Sequence, residues 1–182
     1  INKFSTEIVT KVEENTILYF GTLIRKKGLL ELPLIFNEVY KKNNKAKLIV
    51  IGRDASDIIS GNHSTWAMMQ SLFDATALKN VNYIGSVSYD EIKAHVSSAS
   101  VCVFPTFAEA LPVSWIEAMA LKKAIVASDI GWAAEIIEDS VEGFLVHPKN
   151  HNLFADRILE LLDNQKLRDQ FGIEAKKKVV QK

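Results

Sequence analysis

The feature that most constrains this chain is a repeated pairing of a short apolar run with a glycine at its end. Ile17-Leu-Tyr-Phe20 stops at Gly21, Lys47-Leu-Ile-Val-Ile51 at Gly52, and residues 81–84 at Gly85. Val101-Cys-Val-Phe104, Ala124-Ile-Val-Ala127 and residues 143–146 are further apolar runs, without the closing glycine. The runs are continuous rather than alternating, as expected of strands covered on both faces in a parallel sheet. Helix-spaced segments separate them. Leu29, Leu32, Ile35, Phe36 and Val39 mark one helical face over residues 28–43. Residues 65–78 read as a helix, and Ser88 with Glu91 is a capping-box signal for another that ends near residue 98. Further helices are expected from Pro112, over 134–137, over 152–162, and as a basic helix to the end. Strand–helix alternation defines an α/β fold: a doubly wound, parallel, six-stranded, Rossmann-like sheet. With the common order 3-2-1-4-5-6, the order reverses between strands one and four. A ligand crevice then lies between the loops after Phe20 and Phe104.

Those two loops are chemically the richest segments. The first, Gly21-Thr-Leu-Ile-Arg-Lys-Lys-Gly28, carries Arg25, Lys26 and Lys27, any of which could form a charge-assisted bond to a phosphate. A solvated basic turn is the alternative for each of them. Gly-x-Gly-x-x-Gly is absent, which disfavours a nicotinamide dehydrogenase, and so is the P-loop pattern. In the second loop Pro112 marks a helix start, with Glu109 ahead of it and Glu117 inside the helix. The first backbone N–H groups of a helix are unpaired and attract anions. Carboxylates would repel a phosphate, but they accept hydrogen bonds from vicinal diols. A ligand with a diphosphate centre and polyhydroxyl ends fits both facts, and a nucleotide sugar is such a ligand. The competing reading makes Glu117 a surface residue and Glu109 a stabiliser of the helix end.

The spacing Glu109-x7-Glu117, together with Gly21…Lys27-Gly28, resembles the C-terminal, donor-binding half of GT-B glycosyltransferases. The similarity is to the retaining family called glycosyltransferase family 4, or group 1, and it extends over nearly the whole chain. Gly85-Ser-Val-Ser88 matches its loop after strand three, and Ser128-Asp-Ile-Gly131…Glu135 its loop after strand five. Glu142-Gly-Phe-Leu-Val146 resembles its late strand. The resemblance implies a hexosyltransferase that moves a sugar from a nucleoside diphosphate to an acceptor hydroxyl, in polysaccharide or glycolipid synthesis. It assigns catalytic weight to Glu109 and Lys27: Lys27 on the diphosphate, Glu117 on the ribose and Glu109 on the transferred sugar. Backbone N–H groups of Ala110, Leu111 and Val113 would face the sugar or phosphate. Gly21 and Thr22 would approach the donor, and the base would lie near Gly52, Arg53 and Val87. No metal or other cofactor is implied. Two departures from the family pattern stand out: Thr22 occupies a common arginine position, which Arg25 or Lys26 could replace, and Ala110-Leu-Pro-Val113 replaces Gly-Phe-Gly-Leu. Other readings are a nucleotide-sugar epimerase or phosphorylase of the same architecture, or a non-catalytic binding module.

The 182 residues suffice for one domain, divided here into a linker over 1–16, a nucleotide-sugar-binding domain over 17–164, and a basic helix over 165–182. In this family the last helix commonly crosses toward the N-terminal domain, which would bind most of the acceptor and is missing here. A start at Ile1 rather than methionine suggests a fragment that would turn over poorly alone. Lysine plus arginine equals aspartate plus glutamate at 22 each, so no overall charge favours nucleic acid. A single cysteine, Cys102, excludes a disulfide framework and suits the cytoplasm. No apolar run reaches the ~18 residues of a membrane span. The lysines at 176, 177, 178 and 182 keep peripheral contact with the inner face of a membrane open. His63, His95, His147 and His151 fall outside every motif, Asn62-His-Ser64 is a sequon without a secretion signal, and Trp66 reads as core or interface. Trp132 sits beside the crevice, where a sugar contact is one use for it.

Overall fold

The computed structural model describes residues 11–181, so the first ten residues of the expected linker and Lys182 lie outside the described residues. Six strands form one sheet: β1 (Thr16–Phe20), β2 (Lys47–Ile51), β3 (Val81–Gly85), β4 (Val101–Phe104), β5 (Ile125–Ser128) and β6 (Gly143–Val146). All neighbouring strands run parallel in the order β3-β2-β1-β4-β5-β6, as the sequence predicts. Ile17 is in register with Leu48 on one side and Val101 on the other. Every residue of β1, β4 and β5 is buried, which explains why their sequences do not alternate. The order reverses between β1 and β4, so the loops after those strands diverge and open a crevice.

The helices are α1 (Leu32–Lys42), α2 (Thr65–Gln70), α3 (Ala75–Leu78), α4 (Tyr89–Ser98), α5 (Val113–Ala120), α6 (Ala133–Ile136), α7 (His151–Asp163) and α8 (Gln165–Gln181). α1 starts later than the apolar spacing suggests. A 3-10 turn over Arg25–Lys27 precedes it, and Pro33 occupies its first turn. The helix expected over 65–78 is two helices, because the Asn37 side chain of α1 intervenes. Its amide donates to the Leu72 carbonyl and accepts from the Asp74 N–H, satisfying backbone groups that a continuous helix would pair internally. The capping box of α4 is present in both halves.

The basic helix expected from residue 165 is α8, and it packs against the rest of the described residues. Phe171 and Ala175 are buried, and the Phe171 ring meets Phe144 edge-on at 5.0 Å. Arg168 is buried and donates to the Leu161 and Leu162 carbonyls, holding the turn from α7. Lys177 pairs with Glu174 and Lys178 with Glu142.

Candidate functional site

Sequence-distant contacts sew the two walls of the crevice together. Gly28 adopts φ +74°, and a Cβ there would lie 1.7 Å from the Pro105 carbonyl oxygen, so only glycine permits this approach. One residue earlier but one, the Lys26 carbonyl accepts from the Phe107 N–H at 2.8 Å, the Ala108 N–H at 3.3 Å and the Thr106 hydroxyl at 3.2 Å. With the loops so joined, Lys27 Nζ faces Glu109 Oε2 at 3.3 Å. Glycines form the floor. A Cβ on Gly52 would lie 1.9 Å from the Gly21 carbonyl oxygen, and the Gly21 N–H donates to the Ile51 carbonyl at 2.9 Å.

The result is a cleft of about 400 Å³. Gly21, Thr22 and Lys27 line it from the β1 side, Gly52 and Arg53 from β2, Val87 from β3, and Glu109, Leu111, Val113 and Glu117 from the β4 side. Two expected residues are not among its lining. Ala110 is exposed at the loop tip. Arg25 is directed elsewhere: its guanidinium makes a bidentate pair with buried Asp57, at 2.9 and 2.6 Å. Arg25 and the Ser60 hydroxyl hold the Asp57 carboxyl well below the usual carboxylate range. The paired Arg25 is therefore not a free cation for a phosphate, and exposed Lys26 contributes its carbonyl to the loop junction. Five lining residues, Phe20, Ile51, Ser86, Ile92 and Ser114, are not among the expected site residues. For Ser114 the signal was present, since it stands one helical turn before Glu117 on the same face.

α5 begins without a side-chain cap, with Pro112 at its N-cap. The Val113 N–H, expected to face the ligand, donates instead to the Leu111 carbonyl at 2.9 Å, and the Trp115 N–H to the Pro112 carbonyl at 3.0 Å, so this helix end offers the cleft the positive end of its dipole. Burial raises the Glu117 carboxyl above its ordinary value. Tyr89, on α4, is raised by burial and by the charge of Glu117. Beneath Gly21, burial and then the charge of Glu109 push the Tyr19 phenol upward, and its hydroxyl donates to the Thr22 carbonyl at 3.2 Å. Trp132 does not line the cleft. Its indole N–H donates to the Glu109 carbonyl at 2.7 Å. None of the four histidines lines the cleft, and among the described residues no cluster of His, Cys, Asp and Glu could hold a metal ion.

A parallel α/β sheet whose switch-point cleft is lined by a lysine, two glutamates and an open helix start defines the Rossmann-like C-terminal half of a GT-B glycosyltransferase. The chain belongs to the glycosyl transferases group 1, whose family pattern matches residues 1–178. An uncharacterized glycosyltransferase of Methanocaldococcus jannaschii is 29% identical over 180 residues, which are 98% of this chain and 44% of that protein. The poly(ribitol-phosphate) α-N-acetylglucosaminyltransferase of Staphylococcus aureus is 30% identical over 171 residues, 93% of this chain and 32% of that enzyme. A crystal structure of a TarM mutant from S. aureus, in complex with fondaparinux, α-GlcNAc-glycerol and UDP, superposes with a TM-score of 0.82. It covers 97% of this chain and 34% of that one at 24% identity, a likeness of fold. The chain spans less than half the length of these relatives.

Proposed function

We propose that this chain is the donor-binding domain of a retaining hexosyltransferase that takes a nucleoside-diphosphate sugar. The reaction is attack of an acceptor hydroxyl on the anomeric carbon, with the nucleoside diphosphate leaving. The observation that carries this reading is the Lys27 ammonium 3.3 Å from the Glu109 carboxylate inside one cleft that also holds Glu117. A cation beside one acid, with a second acid in the same cleft, matches a ligand that is anionic at its centre and hydroxylated at both ends. Lys27 neutralises the departing diphosphate together with the open start of α5, so the chemistry runs without a metal. Glu109 accepts from hydroxyls of the transferred sugar and Glu117 from the ribose. Gly52, Arg53 and Val87 flank the base. UDP in the TarM complex and the polymeric acceptor named for the S. aureus relative favour a uridine donor and a role in polymer or glycolipid synthesis. Acceptor contacts are assigned to a second domain. No helix of the described residues is long and apolar enough to cross a membrane; contact with the inner membrane face through Lys176 and its neighbours is part of the proposal.

Calorimetric titration with a panel of nucleoside-diphosphate sugars tests this. At least one donor should bind, and Glu117→Ala should cost about 1–3 kcal/mol in binding of the nucleotide by stranding ribose hydroxyls. Absence of heat with every donor would overturn the reading in favour of a non-catalytic module. An unchanged affinity in Glu117→Ala would remove Glu117 from the ribose.

A further inference from the structure

Glu109 stands on a loop that its neighbours restrain unevenly. The loop is anchored at Phe107 and Ala108 through the Lys26 carbonyl, and it re-enters regular structure at Val113. Between those points Ala110 and Leu111 are exposed, with Leu111 at 59%. The bond that reaches the backbone at Glu109 itself comes from the loop after β5, outside the cleft lining: the Trp132 indole N–H donates to the Glu109 carbonyl at 2.7 Å. Trp132 precedes α6 and is itself held in place. Its ring lies 5.5 Å from that of Trp115, which stacks on Phe104 at 6.2 Å, and both of those rings are buried. The three rings form a column from the end of β4 to the loop.

We propose that Trp132 is a positioning residue for the sugar end of the donor: through the Glu109 carbonyl it fixes the backbone from which the Glu109 carboxylate faces Lys27. The inference rests on the sugar role proposed for Glu109 and extends it. A glutamate side chain has three rotatable bonds, and on a loose loop its carboxylate would wander over several ångströms. With the carbonyl pinned, the remaining freedom lies in the side chain alone, and the acid stays on its own wall while Lys27 meets the phosphates. The contacts proposed for the nucleoside end, at Glu117, Gly52 and Arg53, belong to other elements. Trp132 therefore separates nucleotide sugar from bare nucleotide without touching either.

Trp132→Phe keeps an aromatic ring against Trp115 and deletes the N–H donor. Two measurements follow. Hydrogen exchange of the ligand-free protein should speed up at residues 107–111, while β5 and the body of α5 keep their protection. Calorimetry should show an unchanged affinity for UDP and a weaker affinity for the nucleotide sugar that the wild type binds, by about 3–10-fold, the effect of one net hydrogen bond. In a Glu109→Ala background the same change should cost no further discrimination, since the two residues act as one unit. Unchanged exchange at 107–111 would overturn the proposal. So would a proportional loss of affinity for UDP and nucleotide sugar, which marks a general packing role. If the wild type binds no nucleotide sugar, the proposed function fails, and the exchange measurement alone still decides whether Trp132 holds the loop.

Discussion

Burial lifts the Glu117 carboxyl above its ordinary value, so at neutral pH the folded domain holds a charge in a half-buried site that disfavours it. An acid whose folded-state pKa is raised binds protons more readily folded than unfolded. Stability therefore falls as pH climbs from the unfolded to the folded pKa, and the full deficit is present above both. Glu117→Gln removes that deficit. Its expected outcome is a melting temperature about 1–3 °C higher at pH 7, what less than 1 kcal/mol yields in a chain of this size. The gain should disappear below roughly pH 4, where the wild-type carboxyl is neutral in both states. Calorimetric melts across pH check this, and the same variant should bind nucleotide less well, because an amide accepts fewer hydrogen bonds from a diol. The Arg25–Asp57 pair has the opposite sign. With the Asp57 carboxyl held below its usual range, its contribution is present above the unfolded pKa and fades as pH falls through the folded one.

At the level of elements, α8 shows how tertiary packing reverses a local preference. Gly172 lies inside this helix, where alanine would ordinarily be favoured by about 1 kcal/mol. A Cβ at that position would stand 2.1 Å from the Lys122 carbonyl oxygen, which is backbone and has little room to move. The clash outweighs the propensity gain. Gly172→Ala should destabilise by about 1–3 kcal/mol, read from urea unfolding; a stabilised variant would mean that α8 does not approach the Lys122 carbonyl this closely. This also bears on what could be read from the chain alone. β1, β4 and β5 were legible because they are buried on both faces and spell continuous apolar runs, β3, which is only partly buried, through its closing glycine, and α4 because its cap is local. The division of residues 65–78 was not, since it depends on Asn37, more than thirty residues away. Arg25 misled for the same reason: its partner Asp57 lies 32 positions on, and a basic turn looks the same whether its cations are paired or free. Trp132 was placed beside the crevice by its loop, yet which atom its N–H meets follows only from the stacking of three rings.

For the whole molecule, the position of the cleft on the sheet sets what this domain can do by itself. Its lining comes from the carboxyl ends of β1 and β2, the loops beyond the strands, and the starts of α4 and α5, all at one edge of the sheet, so one side of the ligand faces away from this domain. Binding needs only the charges and hydroxyl acceptors of that edge. Group transfer needs more: an acceptor oxygen held in line with the anomeric carbon and water kept out, which is worth several powers of ten in rate when a second wall supplies it. Binding and turnover should therefore separate. With the donor identified by calorimetry, this chain is expected to retain measurable affinity while releasing nucleoside diphosphate at least ~100-fold more slowly than a protein that also carries the second domain. Because Lys27 and the start of α5 are proposed to neutralise the leaving group, EDTA should alter neither the affinity nor the rate of the longer protein. Release of nucleoside diphosphate, followed with and without acceptor, tests the separation. Equal rates from the two proteins would show that the edge described here is a complete active site, and a rate abolished by EDTA and restored by a divalent cation would take the neutralising role from Lys27.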